Sequence, residues 1–194
     1  MDKGSIIVYT GPMFSGKSEM LTGRLRSRQR ARKKVLCIKP LIDSRYSTNE
    51  IVSKRLQEDG ANFAPDKKFP AFPVDIQTCN MLSDLIESSK CEVLGVDEAQ
   101  FFDVWLARFL DLRRDQGLEI HVAGLDLDAW RLPFGCMPQI FAYADVVQKF
   151  TADCFVCGQP ARFTQKKGGS SEQIQVGAEN LYEARCESCW TPAA

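Results

Sequence analysis

Three short stretches of the 194-residue chain carry residue types at spacings that do recognisable chemistry. In YTGPMFSGKSEML, the glycines at 11 and 16 with Lys17 and Ser18 fill every fixed position of G-x-x-x-x-G-K-[ST], the Walker A pattern. The candidate loop is Gly11, Pro12, Met13, Phe14, Ser15, Gly16, Lys17 and Ser18. Its backbone N–H groups would converge on phosphate oxygens at the positive end of the helix that follows. Lys17 would meet the β- and γ-phosphates and Ser18 would reach a magnesium ion. The expected ligand is a nucleoside triphosphate, read as ATP with Mg2+.

VLGVDEAQFF ends an apolar run in Asp97 and Glu98. At a strand end in a phosphate-loop protein, the first acid completes the magnesium shell through water, the role expected of Asp97. Glu98 beside the γ-phosphate would take a proton from the attacking group: water in an ATPase, a substrate hydroxyl in a kinase. A phosphate acceptor is already anionic and needs no such base. The acidic pair therefore disfavours a nucleoside-monophosphate acceptor and leaves water and hydroxyl both open.

Cys154-x2-Cys157 and Cys186-x2-Cys189 supply four thiolates in two closely spaced pairs, the pattern of a closed, tetrahedral, structural Zn2+ site. Such a site does no chemistry; it would clamp the base of residues 158–185. Connections of that length serve as lids or binding elements. Phe163 and Tyr182 in its arms could flank a flat ring, and Gly177 with Ala178 would let backbone approach a ligand closely. Of the eight cysteines, Cys37, Cys79, Cys91 and Cys136 stand singly and are expected to be buried as small apolar residues. His121, inside LEIHVAG, is expected to be a packed strand histidine.

These groups need a scaffold. Residues 5–10, 35–39, 93–96, 118–124 and 145–150 read as strands, and residues 17–32, 81–88 and 102–115 as helices. Strands alternating with helices make βαβ units, hence an α/β fold with a mainly parallel sheet flanked by helices. Residues 41–68 are polar and read as a long, partly mobile surface segment. The basic residues between Arg24 and Lys34 go round their helix, as on a solvated face. The alternation stops after Phe150. The expected domains are residues 1–150, which bind nucleotide, and residues 151–194, which bind zinc.

Twenty-five basic residues balance twenty-five acidic ones, which weighs against nucleic acid as a partner. No apolar run approaches the ~20 residues of a membrane span, and the N-terminus has no signal-peptide pattern. The expected location is cytoplasmic, with no membrane partner.

GPMFSGKS, IDSRY, VDEAQFF, GLDLDAWRLPFG, the two CxxC pairs and VGAENLYEARC occur together in one family. Over essentially its whole length the sequence resembles the type II thymidine kinases, the zinc-containing kind with a RecA-like P-loop core. The resemblance implies transfer of the γ-phosphoryl group of ATP to the 5′-hydroxyl of thymidine, with deoxyuridine a candidate second acceptor. Glu98 falls on the family's catalytic base, and Lys17 and Ser18 on its phosphate and magnesium contacts. Asp43 and Arg45 match residues that approach magnesium and the phosphates, and Asp97 and Gln100 belong to the same nucleotide-binding set.

The zinc-pinned segment matches a lasso that closes over thymidine and holds the base largely through main-chain groups. Thr164, Ile174, Val176, Gly177 and Tyr182 fall in its substrate pocket, with Met13, Phe102, Leu125 and Phe134 as apolar walls. Trp130, Leu132 and Ala178 stand where other residues are usual in the family. The resemblance further implies a homotetramer inhibited by thymidine triphosphate. Two rivals use the same loop: a RecA-like ATPase whose zinc ribbon binds nucleic acid, and a nucleoside-monophosphate kinase with a four-cysteine lid. Zero net charge weighs against the first. The second normally has its lid interrupting the core, whereas here the cysteines follow it.

Overall fold

The computed structural model describes residues 3–43, 47, 49–52, 68–77, 80–167 and 181–192. Arg45, Cys79, Ile174, Val176, Gly177 and Ala178 lie outside them. The chain runs β1 (Ser5–Thr10), α1 (Lys17–Arg30), β2 (Val35–Pro40), β3 (Glu50–Val52), β4 (Lys68–Pro70), β5 (Phe72–Val74), α2 (Asn80–Ser89) and β6 (Val93–Val96). A 3-10 turn (Ala99–Phe101) leads to α3 (Trp105–Asp115), β7 (Glu119–Gly124), α4 (Met137–Tyr143) and β8 (Val146–Lys149). Four short strands follow: β9 (Ala152–Asp153), β10 (Pro160–Ala161), β11 (Phe163–Lys166) and β12 (Tyr182–Arg185).

Six strands form one sheet in the order β5-β2-β6-β7-β1-β8, with every neighbouring pair parallel. This is the expected α/β architecture. Parallel pairing puts the C-terminal ends of all six strands at one edge, so Gly11 after β1, Asp97 after β6 and Leu125 after β7 are gathered there.

Strand side chains alternate between the two faces. Ile6, Val8, Ile38, Leu94, Val96, Ile120 and Val122 face α2, α3 and α4 and pack with Leu82, Leu106, Leu110, Met137 and Ile140. Tyr9, Cys37 and Ala123 point to the other face, where α1 lays down Leu21 and Leu25. Those two residues are four apart and so share one side of the helix. Each fully buried aliphatic side chain contributes about 1.5–3 kcal/mol, so these two layers dominate the stability.

His121 packs in β7 as expected, 1% exposed. Its Nδ1 lies 2.9 Å from the Tyr9 hydroxyl and its Nε2 2.7 Å from Glu119 Oε1. Burial holds the imidazole pKa below its ordinary value, outweighing the hydrogen bond to the Glu119 carboxylate that pulls it upward. Burial likewise raises the Tyr9 phenol. Cys37 and Cys136 are buried as expected, while Cys91 is half-exposed.

Four departures from the sequence reading stand out. The helix expected over residues 102–115 begins only at Trp105, because Glu98 to Phe101 form a tight turn and Phe102 is extended. Residues 41–68 are not wholly a surface segment: β3 pairs antiparallel with β4, and Ile51 and Phe69 are buried beside α1. α4 had no counterpart in the sequence reading. The helix over residues 17–32 stops two residues early, where Arg32 turns left-handed at φ 62°.

Beyond Phe150, β9 pairs with β10 and β11 with β12, both antiparallel. Ala152, Cys154, Ala161, Ala184 and Cys186 make a small core against which Phe14 of the phosphate loop packs.

Candidate active site

β1 delivers the chain into Gly11, whose φ of 141° and 2.3 Å clearance between an ideal Cβ and the Phe150 carbonyl oxygen exclude a side chain. Phe14 and Gly16 are both left-handed, at φ 66° and 83°. Gly16 caps α1 and, as glycine, brings no side chain to the helix's first N–H groups, which leaves them to an anion. Lys17 Nζ folds back over the loop, donating to the Pro12 carbonyl at 2.6 Å, with Ser15 Oγ at 3.4 Å. Ser15 Oγ donates to the same carbonyl at 2.8 Å. Ser18 Oγ donates to Asp97 Oδ1 at 3.0 Å, and the buried Asp97 is fixed in turn by its N–H on the Ile38 carbonyl. The residues matched to phosphate and magnesium are thus brought together by β1, α1 and β6.

Asp43 follows β2 at the same edge. It is buried and ion-paired with Lys39 at 3.1 Å, and Lys39 also donates to the Ser47 carbonyl at 2.9 Å. A lysine closing the apolar run VLCIK, four residues before an acid, was the available signal for this pair.

Glu98 has φ 51° and ψ 42°, a conformation costing a non-glycine residue about 1–2 kcal/mol. Strain of this kind persists only where the surroundings over-determine it. Here the 2% exposed Gln100 does so. Its Oε1 accepts the Leu125 N–H at 3.0 Å, which leaves its amide nitrogen to donate to Glu98 Oε2 at 2.5 Å. The backbone of Gln100 is pressed on Gly135, where a Cβ would stand 2.0 Å from the Gln100 carbonyl oxygen. The candidate base is therefore aimed by the strand-end turn and by the loop that follows β7.

That loop, residues 125–136, is folded by Asp128, whose Oδ1 accepts the Trp130 and Leu132 N–H groups, both at 2.9 Å. Phe134 is buried and meets Phe101 edge to face, with ring centres 5.7 Å apart. Phe102 turns into the main core against Trp105. Leu125 and Met13 are half-buried.

Every residue of β11 is buried. Thr164 Oγ1 accepts the Met13 N–H at 3.1 Å, so β11 lies on the phosphate loop. Lys166 Nζ stands 5.6 Å from the Trp130 ring centre. Tyr182, half-buried, pairs with Lys166 across the β11–β12 ladder.

The four cysteine sulfurs all lie within 4.8 Å of one another. Cys157 Sγ is 3.6 Å from both Cys186 Sγ and Cys189 Sγ. Tetrahedral zinc with Zn–S bonds of about 2.3 Å spaces its sulfurs about 3.8 Å apart, so the donor set fits that ion. Each pair sits in a tight turn, closed by the Gly158 N–H on the Cys154 carbonyl and by the Cys189 and Trp190 N–H groups on the Cys186 carbonyl.

Comparison with known sequences decides what this assembly is. The profile of the family described as thymidine kinase matches residues 4–190. The chain belongs to the thymidine kinase family. A thymidine kinase of Porphyromonas gingivalis is 40% identical over 189 residues, which cover 97% of this chain and 85% of that protein. One from Mesomycoplasma hyopneumoniae is 38% identical over 96% of this chain and 95% of its own length. One from Bacteroides fragilis is 36% identical over 98% of this chain and 89% of its own length. The hold of Gln100 on Leu125, and that of Arg131 on Glu187, escaped the sequence reading because these partners are distant in the chain.

Proposed function

We propose that this protein is a thymidine kinase that transfers the γ-phosphoryl group of ATP to the 5′-hydroxyl of thymidine, with Glu98 as general base. One observation carries the reading: in a chain of this family, a strained Glu98 is held by Gln100 beside the Ser18–Asp97 pair. The Glu98 carboxylate takes the proton of the 5′-hydroxyl as that oxygen attacks the γ-phosphorus, and the β–γ bridging oxygen leaves with ADP. Lys17 and the N–H groups of Met13 to Ser18 cradle the triphosphate. Mg2+, when bound, neutralises charge on the β- and γ-phosphates. Ser18 and Asp97 would hold it, with Asp43 and Arg45 in support.

Residues 158–185, pinned by zinc on Cys154, Cys157, Cys186 and Cys189, close over the nucleoside. Thr164 and Tyr182 line the pocket with side chains, and Ile174, Val176 and Gly177 contribute main-chain groups to the base. Met13, Leu125 and Phe134 are its apolar walls, with Phe102 supporting them from the core. In this reading residues 1–150 bind ATP and residues 151–194 form the zinc-bearing closure. A homotetramer, inhibition by thymidine triphosphate and a cytoplasmic location complete the proposal and rest on the sequence resemblance. Among the described residues no helix is long and apolar enough to cross a membrane.

The test is ADP formation with ATP, Mg2+ and a panel of deoxynucleosides, in wild type and Glu98→Gln. Thymidine should stimulate wild type, and the variant should lose at least ~100-fold in kcat while still binding ATP. Hydrolysis stimulated by single-stranded DNA and indifferent to thymidine would establish the ATPase rival instead.

A further inference from the structure

The loop of residues 125–136 is tied down at both its start and its tip. At its start, the Leu125 N–H is held by the same Gln100 amide that holds Glu98. At its tip, Arg131 reaches across to the cysteine unit. Its guanidinium carbon lies 3.9 Å from the centre of the Phe163 ring and 5.1 Å from that of Trp190. Its Nη1 pairs with Glu187 Oε1 at 3.0 Å. Phe163 opens β11, Glu187 follows Cys186 and Trp190 follows Cys189. One side chain therefore spans from the loop to β11 and to the second cysteine pair.

The turn itself does not call for arginine. Arg131 has φ 66°, which glycine adopts freely and an arginine only at a cost of about 1–2 kcal/mol. Asp128 already fixes the turn through the neighbouring Trp130 and Leu132 N–H groups. What arginine adds is a flat cation able to stack on aromatic faces while its edge pairs with a carboxylate.

We propose that Arg131 is a positioning residue that clamps the 125–136 loop to β11 and the cysteine knot, setting the width of the crevice that receives the nucleoside. The inference rests on the kinase reading above. One wall of that crevice begins at Leu125, tied to Glu98 through Gln100. The other is β11, where Thr164, adjacent to Phe163, holds the Met13 N–H. Arg131 bridges the two walls. The triphosphate loop has further ties of its own to β1, α1 and, through the Ser18–Asp97 bond, β6, which do not pass through Arg131. Losing the clamp should therefore weaken nucleoside binding and spare ATP.

The experiment uses the full-length, zinc-loaded chain with Arg131→Gly and Arg131→Lys. Glycine suits the backbone at this position, so the first variant removes the clamp without straining the turn. Arg131→Gly should raise the thymidine KM about tenfold, leave the ATP KM within about twofold, and keep its zinc. Arg131→Lys should fall between the two, because it keeps the charge and loses the flat stack. Amide hydrogen exchange over residues 125–136, which needs no substrate, should quicken about tenfold in Arg131→Gly. A thymidine KM within about twofold of wild type, or an equal rise in both KM values, would overturn the proposal. Should wild type fail to phosphorylate thymidine, the kinase reading falls, and the exchange rates alone decide the clamp: unchanged rates refute it.

Discussion

Ser18 and Asp97 lie 79 positions apart and meet through a 3.0 Å hydrogen bond at the C-terminal edge of the sheet. The helix end that follows the phosphate loop and the strand end that carries the candidate base are thereby locked together. If this pair organises Mg2+ as proposed, Asp97→Ala should raise the Mg2+ concentration for half-maximal rate by about 10–100-fold. Initial rates against total Mg2+ at saturating ATP and thymidine test it. An unchanged half-saturation point would remove Asp97 from that role.

Gly135 presses on the backbone of Gln100, so a methyl group there acts on Glu98 from a distance. Gly135→Ala meets the Gln100 carbonyl oxygen at 2.0 Å, at a residue whose φ is 52°. It should destabilise the protein by about 1–3 kcal/mol in urea unfolding. It should also lower kcat more than it raises either KM, because the displaced turn carries the proposed base. A fully active variant of wild-type stability would show that the strand-end turn tolerates displacement.

Zinc analysis of the purified protein should find about one ion per chain. Stripping the metal, or Cys186→Ser, should weaken thymidine binding more than ATP binding, because β11 depends on the cysteine unit, whereas the phosphate loop touches that unit only at Met13 and Phe14 and keeps its ties to the sheet. Calorimetric titrations of the two ligands distinguish these effects. Equal loss of both would mean that the cysteine unit supports the whole fold.

The buried His121 gives a pH dependence with a definite sign. Its folded-state pKa is held below the ordinary value of 6.5, chiefly by burial. As pH falls through that value, the unfolded chain gains a proton that the folded chain refuses, so stability drops. The stability margin of wild type over His121→Gln should shrink between about pH 7 and pH 5. Chemical denaturation at several pH values measures it, and a margin that widens on acidification would contradict the neutral, packed histidine.

The parts legible in the sequence were those written in local order. SIIVYT and VLGV declare their strands because β-branched and apolar runs end abruptly at a glycine and at an acid, and the bounds of β1 and β6 agree. The phosphate loop, the acidic pair and the cysteine pairs are likewise local patterns. α4 was missed because seven residues opening on Met137-Pro138 give too little periodicity to register. β3 and β4 were missed because each brings one buried side chain, Ile51 or Phe69, to a pairing across distant sequence. The hold of Gln100 on Leu125 and that of Arg131 on Glu187 bridge 25 and 56 positions, and no spacing rule reaches that far.

β1 occupies the inside of the sheet, yet its two neighbours come late: Ser5 pairs with Glu119, and Ile7 with Val146. A ribosome releases this apolar strand more than a hundred residues before either partner, and the Met13–Thr164 bond must wait longer still. During translation SIIVYT is therefore an orphan, exposed to wrong pairings until most of the chain has emerged. A chain cut before β7 would leave β1 with neither of its sheet neighbours.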